Sequence, residues 1–269
     1  MSRRPFCLLV CGLCAFSTLT CAKNAPPVSD PKALVLVAQS IAALTSGNIV
    51  TDVTLTANAT WIAGSTNETG TAKLELSGSQ LSRLDLYLKT ASQSEIRNDS
   101  AGFPDGNRVD ATGTWYEMAA HQCWTPAAWF SPLAWLQTAS GIDAVVSYVG
   151  SETYNGASVD HLHAYRAISA QSDLASSLLQ GLTSFDLYLD SNTHLPLAVG
   201  ISAHPDDDAG TNIPAAIQFL NYQSVNGVQL PYRLQRFVQN SLYLDITVTS
   251  ATINSGVSSS DFQLQAVPQ

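Results

Sequence analysis

The chain has 269 residues and a formal net charge of −9, from 12 basic and 21 acidic side chains; 45% of its residues are hydrophobic and only 12% charged. This acidic balance argues against nucleic acid as a partner and against electrostatic adhesion to anionic headgroups, so any lipid contact has to be hydrophobic and enclosed. The length is ample for one large β domain, and sparse charge, with Ser, Thr, Asn and Gln as the polar surface, is common in exported β proteins.

At the N-terminus, Arg3 and Arg4 precede an apolar run over residues 6–16 and small or polar residues up to Ala22. This is the layout of a secretory signal peptide, too short for a membrane span. Cleavage after Ala22 leaves a periplasmic or secreted chain beginning at Lys23. Two other readings stay open. Ser2-Arg3-Arg4-Pro5-Phe6 resembles a twin-arginine export signal, although Cys7-Leu8 departs from its usual continuation. Thr18-Leu19-Thr20-Cys21 resembles a lipobox, in which Cys21 would carry an acyl anchor. Four of the five cysteines lie in this leader, so cleavage leaves only Cys123 and no internal disulfide. A nucleophilic role would need a nearby base that the spacing does not supply, so Cys123 reads as a buried, inert thiol.

Residues 23–29 form a polar linker. Asp30 and Pro31 then supply the N-cap and first position of a helix ending near Gly47, with Leu34, Val37, Ala38, Ile41 and Leu44 at helical spacing. From Val53 the period changes to two: Val53, Leu55, Ala57, Ala59 and Trp61 alternate with Thr54, Thr56, Asn58 and Thr60, which is a strand with one wet face. Turn residues lead to Ala72, Leu74 and Leu76, and Ser77-Gly78-Ser79 leads to Leu84, Leu86 and Leu88. Shorter strands are predicted over 94–98, 108–111 and 114–118.

Residues 119–140 break this rhythm. Trp124, Trp129, Phe130, Trp135 and Leu136 gather around Pro126 and Pro132, which predicts one or two short helices closing over an apolar surface, as core or as a mobile lid. Strands over 144–149 and 159–166 flank Asn155-Gly156, and Ser172 caps a short helix carrying Leu174, Leu178, Leu179 and Leu182. A final meander fills 184–254. In it Val228, Leu230, Tyr232 and Leu234, then Leu242, Leu244, Ile246 and Val248, alternate with polar residues. Such an oily face must be covered by helices, a second sheet or a ligand. No linker interrupts residues 30–269, which predicts a single domain there.

His161 and His163 flank Leu162, and on a strand this spacing puts both imidazoles on one face, where they could present two nitrogens to zinc. A zinc site needs further ligands, and no motif recruits His121, His194 or His204. Hydrogen-bonded or exposed histidines are therefore expected, with a metal-dependent enzyme as an alternative. Asp206, Asp207 and Asp208 superficially look like a calcium loop, but Ile217 stands where a closing Glu belongs, so a solvated acidic loop is expected. The sequence contains no Gly-x-Ser-x-Gly elbow and no phosphate-cradling glycine loop. Neither a catalytic set, a metal nor a cofactor is predicted.

The run Asp186-Leu187-Tyr188-Leu189-Asp190, then Leu195-Pro196, Phe219-Leu220-Asn221-Tyr222 and Val225-Asn226-Gly227-Val228-Gln229-Leu230-Pro231-Tyr232, resembles the bacterial periplasmic lipoprotein-carrier (LolA/LolB-like) superfamily. The closing residues 246–254 with Asp261-Phe262 are similar too. The resemblance implies an α+β fold in which a strongly curved antiparallel sheet forms an unclosed β-barrel, with helices covering its mouth and a cavity for acyl chains. The chain departs from the simple carriers in its length and in the Trp-rich segment 119–140. The resulting expectation is a non-enzymatic exported protein that holds a lipid or an acylated protein in an apolar half-barrel and makes transient contact with membrane or envelope partners. Its expected lining is Leu55, Ala57, Trp61, Leu74, Leu76, Leu84, Leu86, Leu230, Leu234, Leu244 and Ile246, with Trp129 and Trp135 in the lid. A structural or sensor module that fills its own core is the alternative.

Overall fold

The structure is a computed structural model and describes residues 27–267 apart from 101–102, 110–111 and 171; the expected leader, with Cys21, lies outside the described residues. Asp30 opens helix α1 (Pro31–Thr45) by accepting a hydrogen bond from the Lys32 backbone N–H at 2.8 Å, and Ser46 ends it in the left-handed region. The buried face of α1 is Ala33, Leu36, Val37, Ser40 and Leu44, rotated from the expected stripe, so that Leu34 is exposed. Apolar residues run around most of this helix, so periodicity does not choose its face. Packing against the sheet does, with the small Ala33 and Ser40 at the contact.

The strands of the first half are β1 (Asp52–Ala63), β2 (Thr66–Ser77), β3 (Leu81–Leu88), β4 (Ser92–Asn98), β5 (Gly106–Val109) and β6 (Trp115–Glu117). Those of the second half are β7 (Ala144–Tyr154), β8 (Ala157–Arg166), β9 (Phe185–Asp190), β10 (Pro196–Ala203), β11 (Ile213–Val225), β12 (Val228–Val238) and β13 (Ser241–Ile253). A 3-10 turn at Ala120–Cys123 and helix α2 (Pro132–Ala139) separate the halves, α3 (Asp173–Thr183) follows β8, and a second 3-10 turn at Ser259–Phe262 follows β13.

All 13 strands form one antiparallel sheet in the order β6-β5-β4-β3-β2-β1-β13-β12-β11-β10-β9-β8-β7. The two ends of the chain meet at its centre, where β1 pairs with β13 from Val53 opposite Ile253 to Trp61 opposite Leu244. The edges, β6 and β7, are neighbours in sequence and do not pair with each other among the described residues. The sheet is therefore an unclosed barrel in an α+β fold. Register shifts at Thr56/Ala57, Tyr148/Gly150, Pro196/Ala198 and Arg236/Phe237 add twist and curvature. The Asn155-Gly156 and Asn226-Gly227 hairpins have positive φ at both residues, the backbone of a tight turn that matches strand twist.

Both edges are guarded. β6 is only three residues long, and the extended residues before α1 cover β7: Asp30 N–H donates to the Val146 carbonyl at 2.8 Å and Val146 N–H to Ser29 Oγ at 3.1 Å. The concave face carries the main core. Leu55, Leu74, Leu162, Leu187, Phe219, Leu234 and Ile246 pack there with Leu36, Val37 and Leu44 of α1 and with Phe130, Trp135 and Leu136. The C-terminal tail lies on the other face, where Arg83 donates to the Asp261 carbonyl, Asn98 to that of Phe262, and Gln265 N–H to Asn107 Oδ1.

Asp52, at the start of β1, is buried and ties the end of β13 to it, accepting from Ser255 N–H at 2.7 Å, Ser255 Oγ at 3.0 Å and Gly256 N–H at 3.2 Å. Burial opposes its charge, but these bonds and that from Thr51 outweigh burial and hold its pKa below the ordinary carboxylate value. Asp52→Ala removes these bonds to a charged acceptor and should cost about 1–3 kcal/mol. Trp135→Ala, at a fully buried site, should cost about 3–5 kcal/mol. Urea denaturation checks both, and a wild-type midpoint in Trp135→Ala would remove the lid from the core.

Candidate functional site

Because β6 and β7 are opposite edges, the segment between them has to cross the open side of the half-barrel. Non-helical backbone buried there needs hydrogen-bond partners, and polar side chains on the inner face of β3 and β4 provide them. Ser82 Oγ donates to the Ala127 carbonyl at 2.6 Å; Arg97 Nη2 donates to the carbonyls of Cys123 at 2.5 Å and Thr125 at 2.8 Å. Trp129 Nε1 donates to the Glu95 carboxylate at 3.0 Å, and Trp135 Nε1 to the Trp129 carbonyl at 2.8 Å. Trp135 then packs edge-on to Phe185, with ring centroids 5.1 Å apart.

A polar strap fastens the same segment to the opposite side of the sheet. His121 Nε2 lies 2.7 Å from the Pro205 carbonyl, Gln122 donates to the His204 carbonyl and to Asp206, and Arg108 pairs with Asp206 at 2.6 Å. The acidic loop is therefore a fastening as well as a solvated surface. Asp208 closes the loop itself, accepting from Thr211 Oγ1 and Gly210 N–H, and these bonds hold its pKa low.

Between lid and strap the concave face is not filled. A cleft of about 190 Å³ is bordered by Trp129, Leu182, Ile201 and Ile217 together with Glu95, Arg97, Arg108, Arg236 and Tyr243. A neighbouring chamber of about 160 Å³ is bordered by Trp61, Leu84, Leu86 and Leu244, and it shares Glu95, Arg108, Arg236 and Tyr243 with the first. Arg236 stands at the junction, its guanidinium 4.7 Å from the Trp129 ring centroid and 5.5 Å from that of Tyr243. The combined space is amphipathic, with an apolar floor and charged walls in which Glu95 stands among the arginines.

No family model matches the sequence, and no curated protein is similar to it. Solved structures are. A domain assigned to outer membrane lipoprotein sorting, from Vibrio parahaemolyticus, matches with a TM-score of 0.54 and 15% identity over 86% of this chain and 96% of that one. A LolA superfamily protein from Nitrosomonas europaea matches with a TM-score of 0.54 and 8% identity over 86% and 97%. The fold is LolA-like. A DUF1329 family protein from Desulfovibrio piger shares it, with a TM-score of 0.58 and 10% identity over 89% of this chain and 98% of that one.

Within this LolA-like half-barrel the expected lining residues separate into groups. Trp61, Leu84, Leu86, Leu244 and Trp129 border the cleft. Leu76 and Leu230 border a void of about 20 Å³ beneath α1 and α2. Leu55, Ala57, Leu74, Leu234, Ile246 and Trp135 belong to the packed core. The polar walls were not anticipated from the sequence, yet a signal existed: Glu95 and Arg97 alternate along β4 in the inward register, and Arg236 follows Leu234 by two residues.

His161 and His163 lie on the outer face, opposite Tyr188 and Asp186 of β9. His161 bridges Glu152 at 2.9 Å and Asp186 at 3.0 Å, His163 lies 3.0 Å from the same Asp186 oxygen, and His161 stacks on Tyr188 with centroids 4.6 Å apart. Among the described residues no group of three His, Cys, Asp or Glu is arranged to hold a metal ion. Cys123 is fully buried, and burial pushes its thiol up to about 11, the setting of an inert thiol.

The Asp186 hydrogen bond raises the His163 pKa against burial, which opposes it. For Asp186, burial pushes upward, and the bonds from His163 and His161 outweigh it and lower the pKa. The His163 contribution to stability is complete below the unfolded value of about 6.5 and is lost as pH rises through the raised folded value. The Asp186 contribution is complete above about 3.9 and is lost as pH falls through the lowered one. Both act together between these limits. His163→Gln should therefore lower Tm more at about pH 5.5 than at about pH 9; thermal melts at the two values check it, and equal losses would contradict the linkage.

Proposed function

We propose that the protein is an exported, non-enzymatic carrier that holds a lipid or the acyl part of an acylated protein in the concave face of its half-barrel. The observation that carries this reading is the cleft bordered by Trp61, Leu84, Leu86, Leu244 and Trp129, which α1, α2 and the lid leave unfilled. These side chains are largely buried, with Trp61 the most open of them; covering the apolar area they still show to the cleft is worth roughly 25 cal/mol per Å², which favours a ligand with an apolar part. Ligand pockets are concave and combine apolar side chains with a few placed polar groups that fix orientation. The LolA-like fold agrees with this use, since the relatives include a domain assigned to lipoprotein sorting. In this reading residues 30–269 form one domain, a leader of 22 residues is removed, and the working place is the periplasm or the outside of the cell.

A second reading, an envelope module that fills its own core, is favoured by the fully buried Trp135, Leu74 and Ile246 and by the smallness of the void beneath α1, about 20 Å³. Native mass spectrometry of the purified protein followed by lipid extraction separates the two. Carriage predicts a stoichiometric amphiphile that leaves on organic extraction, whereas a ligand-free protein that also fails to take up added lipid would support the self-filled module. Intact mass should give a chain beginning at Lys23; a mass that includes diacylated Cys21 would place the protein on a membrane instead.

A further inference from the structure

Resting on the carrier reading, we infer that the ligand is an amphiphile with an anionic head, and that Arg236 receives the head while the Trp61, Leu84, Leu86 and Leu244 chamber receives the tail. A guanidinium fork drawn partly out of water is normally met by a carboxylate or by carbonyl oxygens. Arg108 has its carboxylate, Asp206, and Arg97, only 2% exposed, donates to the Cys123 and Thr125 carbonyls. Arg236 has neither. Among the described residues it makes no ion pair or hydrogen bond, and its buried Nε has no partner, as is also true of the Nε of Arg97.

What holds Arg236 in place is stacking. With Trp129 and Tyr243 within 4.7 and 5.5 Å of its guanidinium carbon, the cation is attracted to ring faces, an interaction that consumes none of its in-plane N–H donors. Those donors form the fork that matches a carboxylate or phosphate bidentately. Glu95 is the carboxylate that borders both chambers, but it accepts from Trp129 Nε1 and forms no ion pair with Arg236. Arg236 thus presents an unused anion fork where the two chambers meet, beside the Trp61, Leu84, Leu86 and Leu244 side of the smaller one, which is the place for the junction of head and tail.

The test uses the purified protein and C12 probes, with intrinsic tryptophan emission, to which Trp61 and Trp129 at the cleft contribute, as the readout. Dodecanoate is expected to bind about tenfold or more tightly than methyl dodecanoate, with an affinity that falls as salt rises, and Arg236→Gln is expected to erase that preference. Dodecyl phosphate should behave like the acid, and inorganic phosphate and butyrate should compete weakly because they lack the tail. Equal binding of acid and ester by the wild-type protein would overturn the anionic head while the carrier reading stands. A preference for dodecylamine, which Glu95 would supply, would also overturn it. Tight competition by inorganic phosphate would reduce the cleft to a plain anion site, and binding of no C12 probe would sink both readings. The comparison of acid with ester needs no variant, so it decides even if Arg236→Gln fails to fold.

Discussion

The antiparallel pairing of β1 with β13 is the constraint from which the rest of the molecule follows. It brings the two ends of the chain to the middle of the sheet, so the middle of the chain has to supply both edges. The segment between β6 and β7 must then travel from one edge to the other, and its short route lies across the concave face. The lid is in this sense a topological consequence. Asp52 reinforces the closure by gathering the backbone after β13 onto the first residue of β1.

A crossing segment of this kind carries buried backbone that neither a helix nor a strand ladder satisfies, and the inner face of the sheet answers with side chains. Ser82, Glu95 and Arg97 stand in the inward register of β3 and β4 and bond the lid at Ala127, Trp129, Cys123 and Thr125. The concave surface is thus divided. Toward α1 and α2 it is packed like any core; toward Trp61 and Arg236 it stays open, because the lid is fastened by long polar side chains there rather than pressed flat onto leucines.

Much of this architecture was legible in the sequence, for identifiable reasons. Alternation from Val53 to Trp61 and from Leu242 to Val248 reports strands with one buried face, since the period of two is a property of the extended backbone. Asp30-Pro31, Ser172, Asn155-Gly156 and Asn226-Gly227 marked helix starts and turns because each fits a local geometry that few residues satisfy. The face of α1 was not legible, since its apolar residues run nearly all round and only the packing selected Ala33, Leu36 and Ser40. Five of the thirteen expected lining residues border the cleft; the others divide between the void under α1 and the core, because alternation marks the inward face without marking which part of it a lid will cover.

The sequence by itself therefore determined the elements, the oily face and the need to cover it, because these are fixed by local backbone geometry and by which side chains avoid water. Only the tertiary structure decided where the cover falls short, that the opening has arginine walls, and that His161 and His163 turn outward to Asp186 rather than inward. Those outcomes depend on strand order and on contacts between residues far apart in the chain, Arg236 against Trp129 above all, and no local pattern encodes such a meeting.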